Sequence, residues 1–176
     1  VLEEANRNRV PLLIIADDVE GEALQGLILN RMKTDLRVVA VRAPGYGRSK
    51  DLFIHDICVL SGAQLASSST GLSLEKVKLQ DLGRLKKVVV DAKTTTIVGT
   101  GATAESVQTH VATLKEQLTD VTLDVNEISL LRGRIAKLSS GVAVIRVGGS
   151  TEVEMLERKY RIEDALHATR AAADES

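Results

Sequence analysis

Short apolar-rich runs alternate with amphipathic stretches along the first part of the chain. Leu12–Ala16 and Leu36–Val41 are such runs, which are typical of strands in a sheet covered on both faces. A helical stretch ending near Lys33 lies between them, and Ser49–Leu60 is predicted as a second helix that Gly62 ends. The alternation of strands and helices predicts an α/β fold class, with a layered sheet-and-helix arrangement.

The middle of the chain combines a β-hairpin pattern with two predicted helices, each of which carries a line of apolar residues, here called a seam. Lys86–Asp91 and Thr94–Val98 are rich in β-branched residues and flank a two-residue turn, so they predict a β-hairpin, and Gln64–Ala66 is predicted as a short strand. Beyond Thr103, a predicted helix cap, apolar residues recur at spacings of four and three. We expect an αα-hairpin lying on a sheet rather than a free coiled coil. The two series are Val107, Val111, Leu114, Leu118 and Val121, then Ile128, Leu131, Ile135 and Leu138.

The last part of the chain predicts a strand followed by a long charged helix. The strand is predicted over Val142–Val147. Thr151 and Glu154 have the spacing of a capping box, in which each side chain satisfies a backbone N–H at the start of a helix. The helix is predicted to run to about Ala173, and we expect it to need a partner that covers its apolar stripe of Val153, Ile162, Leu166 and Thr169.

The composition of the chain argues against several classes of protein. Lys and Arg total 23 against 24 Asp and Glu, so the chain lacks the basic surplus of most nucleic-acid-binding proteins. With two Tyr, one Phe and no Trp, the hydrophobic 44% must form an aliphatic core, and aromatic platforms for base stacking are scarce. The apolar runs are too short to span a bilayer, and no signal-peptide pattern is visible. A single cysteine, Cys58, excludes an internal disulfide and suits a reducing compartment.

Motifs for catalysis or metal binding are sparse. His55, His110 and His167 are scattered along the sequence without a neighbouring His or Cys at metal-ligand spacing, so no metal site is expected. The chain contains no P-loop, G-x-S-x-G or G-x-G-x-x-G motif. The bare G-x-G pairs at Gly45–Gly47 and Gly99–Gly101 are weak signals for phosphate binding.

The helix predicted between residues 20 and 33 is apolar around most of its circumference. Its apolar arc covers about 240°, whereas one core-facing stripe needs roughly 100° or somewhat more. Either the helix is buried all round, which is the commoner case, or it exposes an aliphatic surface for binding proteins. Asp18 is the predicted N-cap. The arc comprises Ala23, Leu24, Leu27, Ile28, Leu29 and Met32.

Several longer motifs resemble one family. Pro11–Leu24 closely resembles a segment of the apical domain of group I chaperonins, the GroEL type, and so does Val38–Val41 followed by Ala43–Gly47. The matches are colinear, and the resemblance covers essentially the whole chain. Three further motifs toward the end of the chain resemble the same family: Gly141–Gly148, Thr151–Met155 and Arg161–Ala172.

The resemblance implies a fragment of a longer subunit. Residues 1–141 would be most of the apical, substrate-binding domain, and residues 142–176 the returning strand and helix of the intermediate domain. The ATP-binding equatorial domain would be missing, so no cofactor is expected in this fragment, whereas the intact protein would use ATP and Mg²⁺. The intact family is a chaperonin ATPase, and the fragment alone should be inactive.

The resemblance also implies the positions of a binding groove between two helices. The groove residues would be Leu2 on the first helix and Leu24, Ile28 and Leu29 on the second, with Asn30 beside them. The implied partners are non-native polypeptides, the mobile loop of the co-chaperonin and the other subunits of a homo-oligomeric ring. Nucleic acids and membranes are not expected partners. The implied location is a bacterial cytoplasm or an organelle matrix.

Further positions match residues with known roles in that family. Asp164 matches the carboxylate that promotes ATP hydrolysis in the intact protein, although in this fragment a solvated helix charge describes it better. Glu152 matches a residue of inter-subunit ion pairs, and its place at a helix start is also a sufficient local explanation. Ser140 and Gly141 stand where the family usually has two hinge glycines, so we expect a stiffer or differently placed hinge.

Two other interpretations stay open at this point. The chain could be a divergent apical-like interaction module without folding activity. A nucleotide-using α/β enzyme with a divergent site is disfavoured, because the sequence carries no phosphate-binding loop and no catalytic cluster.

Overall fold

The structure, a computed structural model, describes residues 1–34, 36–67, 70–92, 94–100, 103–139 and 145–174. The chain divides into two compact units, Val1–Ser140 and Gly141–Ser176. In the described residues, the first unit contains two small sheets and five α-helices, and the second contains one long α-helix. No helix within these residues is both long and apolar enough to cross a membrane.

The N-terminal part of the first unit is a β–α–β motif. Strands β1 (Leu12–Ala16) and β2 (Val38–Arg42) pair in parallel, with Ile14 opposite Ala40. Parallel strands need a crossover, and helix α2 (Gly21–Lys33) provides it. Both strands and the helix were predicted from the sequence, although β2 begins two residues later than expected.

A small aliphatic core lies beneath this motif. Helix α1 (Leu2–Arg7) buries Ala5 against Leu36 and Val38, which are themselves buried. Because all three side chains are aliphatic, the core needs no aromatic residue, as the composition indicates. Four partly buried side chains pack around this cluster: Leu2, Leu12, Ile14 and Leu27.

Helix α3 (Gly47–Ser61) follows β2 and ends where the sequence predicts. Gly62 has a φ of 74°, in the left-handed region that favours glycine, and its N–H donates to the carbonyl oxygen of Cys58 at 2.7 Å. At the other end, the Ser49 hydroxyl accepts from the backbone N–H of Tyr46 at 3.2 Å. This cap starts the helix two residues before the predicted Ser49.

The predicted β-hairpin is present, but the predicted short strand before it is not. Strands β3 (Leu85–Val90) and β4 (Thr95–Gly99) pair antiparallel, with Val88 opposite Ile97. The prediction of a strand at Gln64–Ala66 is wrong, because that segment lies outside any strand and makes a loop contact with the residues before β3. This connection also contains two short 3-10 turns, Leu74–Lys76 and Leu79–Asp81.

Two helices form the predicted αα-hairpin, but their support is a helix rather than a sheet. Helices α4 (Ala104–Gln117) and α5 (Val125–Ser139) pack against each other, and both pack on α3. The centre of the predicted seam is buried, whereas Val121 is 97% exposed, because α4 ends before reaching it. The buried seam residues are Val111, Leu114 and Leu131.

The second unit is dominated by helix α6 (Glu152–Asp174). The Thr151 hydroxyl accepts from the Glu154 N–H at 3.2 Å, as predicted, but the Glu154 carboxylate accepts from Ser150 N–H at 2.8 Å rather than from Thr151. No α6 side chain whose burial is described is buried. Exposed ion pairs one turn apart run along the helix: Glu154–Arg158, Glu157–Arg161 and Lys159–Glu163.

The segment joining the two units is only partly described. Of the predicted strand Val142–Val147, residues 142–144 lie outside the described residues, and Ile145–Val147 do not form a strand. The predicted hinge residues, Ser140 and Gly141, also lie outside the described residues. Their role therefore stays a prediction.

Candidate functional site

Helix α2 presents its large apolar side chains to solvent. Leu24 is 42% exposed, Ile28 49%, Leu29 50% and Met32 78%. No residue of α2 is buried. Of the two interpretations of its wide apolar arc, burial all round is therefore wrong, and an exposed aliphatic surface is what the structure contains. We call Leu24, Ile28, Leu29 and Met32 the aliphatic strip.

Packing explains why this strip is left uncovered. Leu27 is the α2 side chain that packs against the small core of Ala5, Leu36 and Val38. Residues spaced by four lie on one helix face, so Leu24, Ile28 and Met32 follow one another along a face that flanks Leu27, with Leu29 farther round the helix. Because Leu2, Leu12 and Ile14 also pack against this small core, α2 contributes only Leu27 to it, and the rest of the apolar arc remains accessible.

Leu2 and Asn30, the other two predicted groove residues, offer less exposed apolar surface than the aliphatic strip. Leu2 on α1 is partly buried and packs against the core cluster, so it offers less accessible surface than the strip. Asn30 is exposed, and its side-chain amide donates to the carbonyl oxygen of Gly26 at 2.8 Å. Met32 belongs to the apolar arc but was not among the predicted groove residues. Its spacing of four from Ile28 is the signal that could have placed it there.

The loop that leads into α2 is held by one local hydrogen bond and by one ion pair to a residue distant in the sequence. Asp18 Oδ1 accepts from the Val19 N–H at 2.8 Å, a bond that lowers the pKa of Asp18, and its other oxygen pairs with Arg42 at the end of β2. The predicted N-cap role of Asp18 is therefore wrong. Glu20 occupies the N-cap position of α2, without a side-chain capping bond.

The depression beside Gly45–Gly47 does not offer free cations to a phosphate. Lys50 and Arg42 line it, but Lys50 Nζ donates to Asp17 Oδ2 at 2.8 Å and Arg42 pairs with Asp18. The bond to Asp17 raises the pKa of Lys50. Since each cation here already has a carboxylate partner, the weak G-x-G signal gains no support as a nucleotide site.

A polar cluster ties together α3, α4 and α5. Asp56 on α3 is only 6% exposed, and Arg134 on α5 only 4%. Arg134 donates to both carboxylate oxygens of Asp56, from Nε at 2.8 Å and from Nη2 at 2.7 Å. His110 Nε2 on α4 lies 2.8 Å from Asp56 Oδ1. Burial raises the pKa of Asp56, but the bonds and charges of Arg134 and His110 outweigh it, so the pKa is lowered.

The fold also brings together two histidines that the sequence analysis treated as scattered. His55 is exposed on α3, and its ring centroid lies 5.1 Å from that of His110, with the planes tilted by 52°. One donor atom each from His55, Asp56 and His110 lie within 4.8 Å of one another. Sequence spacing could not reveal this cluster, because the packing of α4 on α3 creates it. His167 lies on α6, in the other unit.

The residues predicted for the intact protein lie on α6. Glu152 is the first residue of this helix, and Asp164 lies in its second half. Both side chains are exposed. Their placement agrees with solvated helix charges in this segment, and their roles in inter-subunit pairing and ATP hydrolysis stay predictions.

Comparison with known proteins indicates the fold. No family model matches the chain. Among solved structures, the chain is similar to the chaperonin gp146 from the bacteriophage EL 2 (Pseudomonas aeruginosa), crystallised in the presence of ATP-BeFx. The TM-score is 0.69 at 23% identity for crystal form II, and 0.58 at 22% identity for crystal form I.

The similarity extends over nearly all of this chain but a minor part of the phage protein. It covers 97% of this chain and 33% of gp146, so this chain spans about a third of the length of that chaperonin. The α/β fold class is confirmed, and the chain has a chaperonin-type fold.

Proposed function

We propose that this chain is the substrate-binding part of a group I chaperonin subunit, and that the aliphatic strip on α2 binds non-native polypeptides. The exposure of four large apolar side chains on one helix is the observation that carries this proposal. The chaperonin-type fold and the motifs resembling an apical domain support it. Residues 1–141 would form the apical domain, and residues 142–176 the returning part of the intermediate domain.

The chemistry of the strip suits a binder of many sequences. Aliphatic side chains bury area without directional requirements, so they accept different apolar segments of an unfolded chain. Fully burying one such side chain contributes about 1.5–3 kcal/mol. Leu24, Ile28 and Leu29 are already about half covered in the free protein, so each would contribute less than this full value. One copy should therefore bind weakly, and a homo-oligomeric ring would supply avidity.

The same strip is the proposed site for the mobile loop of a co-chaperonin. An apolar loop segment and an unfolded polypeptide would compete for Leu24, Ile28 and Leu29, with Asn30 at the border and Leu2 on the neighbouring helix. ATP and Mg²⁺ belong to the intact subunit in this proposal. There Asp164 would position the water that attacks the phosphate, and Glu152 would pair with a neighbouring subunit. The proposed location is a bacterial cytoplasm or an organelle matrix.

The test replaces two strip residues by charged ones. In Leu24→Glu/Ile28→Glu, both new carboxylates stay in water in the free protein but would lose hydration when an apolar peptide covers them. We expect at least about tenfold weaker binding of a permanently unfolded, carboxymethylated protein, measured by fluorescence anisotropy. A mobile-loop peptide should lose binding in parallel.

The matched control is Val121→Glu. Val121 is an equally apolar, highly exposed residue at the far end of the αα-hairpin, outside the strip. This variant should bind the unfolded protein as the natural chain does. Unchanged binding by the double variant, with an unchanged circular dichroism spectrum, would show that the strip is not the binding surface.

A further inference from the structure

The His55–Asp56–His110 cluster lies on α3 and α4, apart from the aliphatic strip. We propose that the imidazoles of His55 and His110 bind one divalent transition-metal ion, with Zn²⁺ as its representative, and that the ion links α3 to α4. The two rings already lie side by side, with centroids 5.1 Å apart. Imidazole nitrogen is a preferred ligand of zinc, copper and nickel ions.

Only a small movement would form the site. Zinc–nitrogen bonds of about 2.0–2.1 Å place two tetrahedral ligand atoms roughly 3.3 Å apart. One ring nitrogen of His55 and one of His110 now lie within 4.8 Å of each other, so a modest ring rotation is needed to bring His110 Nδ1 and a His55 nitrogen to the zinc spacing. His55 is exposed, so rotation about its side-chain bonds meets little resistance and can bring its ring toward His110.

The position of Arg134 decides which side of the cluster the ion occupies. Arg134 donates twice to Asp56, and its Nη2 lies 3.5 Å from His110 Nε2. A dication between Asp56 and His110 would lie against this guanidinium and be repelled. The ion therefore binds on the His55 side of His110, while the carboxylate stays with Arg134.

Asp56 then acts as a positioning residue rather than a ligand. Arg134 donates to both of its oxygens, so the carboxylate only accepts hydrogen bonds, and His110 must donate to it from Nε2. That tautomer leaves the lone pair of His110 Nδ1 for the metal. A carboxylate that fixes the tautomer of a metal-binding histidine is a recurrent arrangement in metal sites.

The nearby thiol is not part of the proposed site. Cys58 follows His55 by three residues on α3, where burial raises the pKa of its thiol and keeps it protonated at neutral pH. Zinc binds the thiolate form of cysteine. Water molecules would complete the coordination of the ion, as they do in open zinc sites.

Thermal unfolding in the presence of Zn²⁺ tests the proposal. A ligand that binds only the folded state at about ten times its Kd should raise Tm by about 3–6 °C in a chain of this size. His55→Ala should abolish this rise, and because His55 is exposed the variant should fold. His167→Ala, on exposed α6, is the matched control and should keep the rise. A rise that persists in His55→Ala, or is absent from the natural chain, overturns the proposal.

Three further measurements separate ligand from positioning roles. Cys58→Ser should leave the zinc response intact, and a lost response would mean that the thiol replaces an imidazole. Asp56→Asn should weaken zinc binding by about 10–100-fold. Nitrogen chemical shifts of the imidazoles in the natural chain must show the His110 proton on Nε2. A proton on Nδ1 contradicts the role of Asp56 even if Asp56→Asn does not fold.

Discussion

Helices α2 and α3 lie in the same unit, and each departs from the usual rule that apolar side chains are buried and charged ones exposed. The α2 helix leaves the aliphatic strip in water, whereas α3 buries a carboxylate, Asp56. An exposed apolar side chain contributes little to folding and is available to a ligand. A buried carboxylate is tolerated only with its partners, here Arg134 and His110, and it fixes how three helices meet. Substitutions in the aliphatic strip should therefore change binding, and substitutions at the Asp56 cluster should change stability.

The strongest test of this contrast removes the cationic partner of Asp56. Arg134→Met leaves a buried carboxylate without its guanidinium, so we expect a loss of about 3–5 kcal/mol in the free energy of unfolding, measured with urea. Arg132→Met on the exposed face of α5 is the matched control and should change it by about 0.5 kcal/mol or less. Equal effects of the two variants would mean that the cluster does not hold the helices together.

A second test compares neighbouring leucines on α2. Leu27 packs against the core cluster and Leu29 is half exposed. Leu27→Ala should destabilise the protein by about 1–3 kcal/mol, below the full cost for a completely buried leucine. Leu29→Ala should cost less than about 1 kcal/mol and should instead weaken binding of the unfolded protein.

Both quantities are measurable on the same samples, by urea unfolding and by anisotropy. If Leu29→Ala lowers the free energy of unfolding more than Leu27→Ala does, the assignment of Leu27 to the core and Leu29 to the binding surface is wrong.

The smallest effect is expected from acid. The pKa of Asp56 is lower in the folded than in the unfolded state, so its stabilisation is present above the unfolded pKa of about 3.9 and is lost as pH falls through the folded value. The groups facing it are His110 from α4 and Arg134 from α5, with His55 adjacent on α3.

Urea unfolding at pH 7 and pH 3 measures this dependence. The natural chain should lose more stability on acidification than Asp56→Asn does. Asp51→Asn, an exposed carboxylate change on the same helix, serves as the control and should follow the natural chain. If Asp56→Asn and the natural chain lost the same stability on acidification, Asp56 would not be a cause of the acid dependence.

Predictions from the sequence were correct where they depended on local interactions and wrong where they depended on residues distant in the sequence. The end of α3 at Gly62 and the β3–β4 hairpin were predicted correctly, because a left-handed cap and a two-residue turn are local features. Asp18 was assigned the wrong role, since its carboxylate pairs with Arg42, a residue of another strand. The support of the αα-hairpin was also assigned wrongly, because periodicity reveals an apolar face without revealing what covers it.

The candidate site was predictable only in part. The excess apolar arc marked α2 as unusual, and the family resemblance selected Leu24, Ile28 and Leu29 from it. Neither the apolar arc nor the resemblance indicated that Leu2 packs against the core or that Met32 is the most exposed strip residue. Those outcomes depend on how α1 and the core cluster lie under α2.

The sequence by itself predicted β1, β2, the β3–β4 hairpin, the helices, the α/β class and a chaperonin-type fold, because these depend on local backbone preferences and on the order of motifs. Tertiary structure alone decided which face of α2 stays in water. It also decided that Asp56, His110 and Arg134 meet, with His55 beside them. The physical reason is that exposure and charge pairing depend on neighbours far away in the sequence. The core cluster of α1 and β2 decides which face of α2 is covered, and the packing of α3, α4 and α5 brings the charged groups within contact.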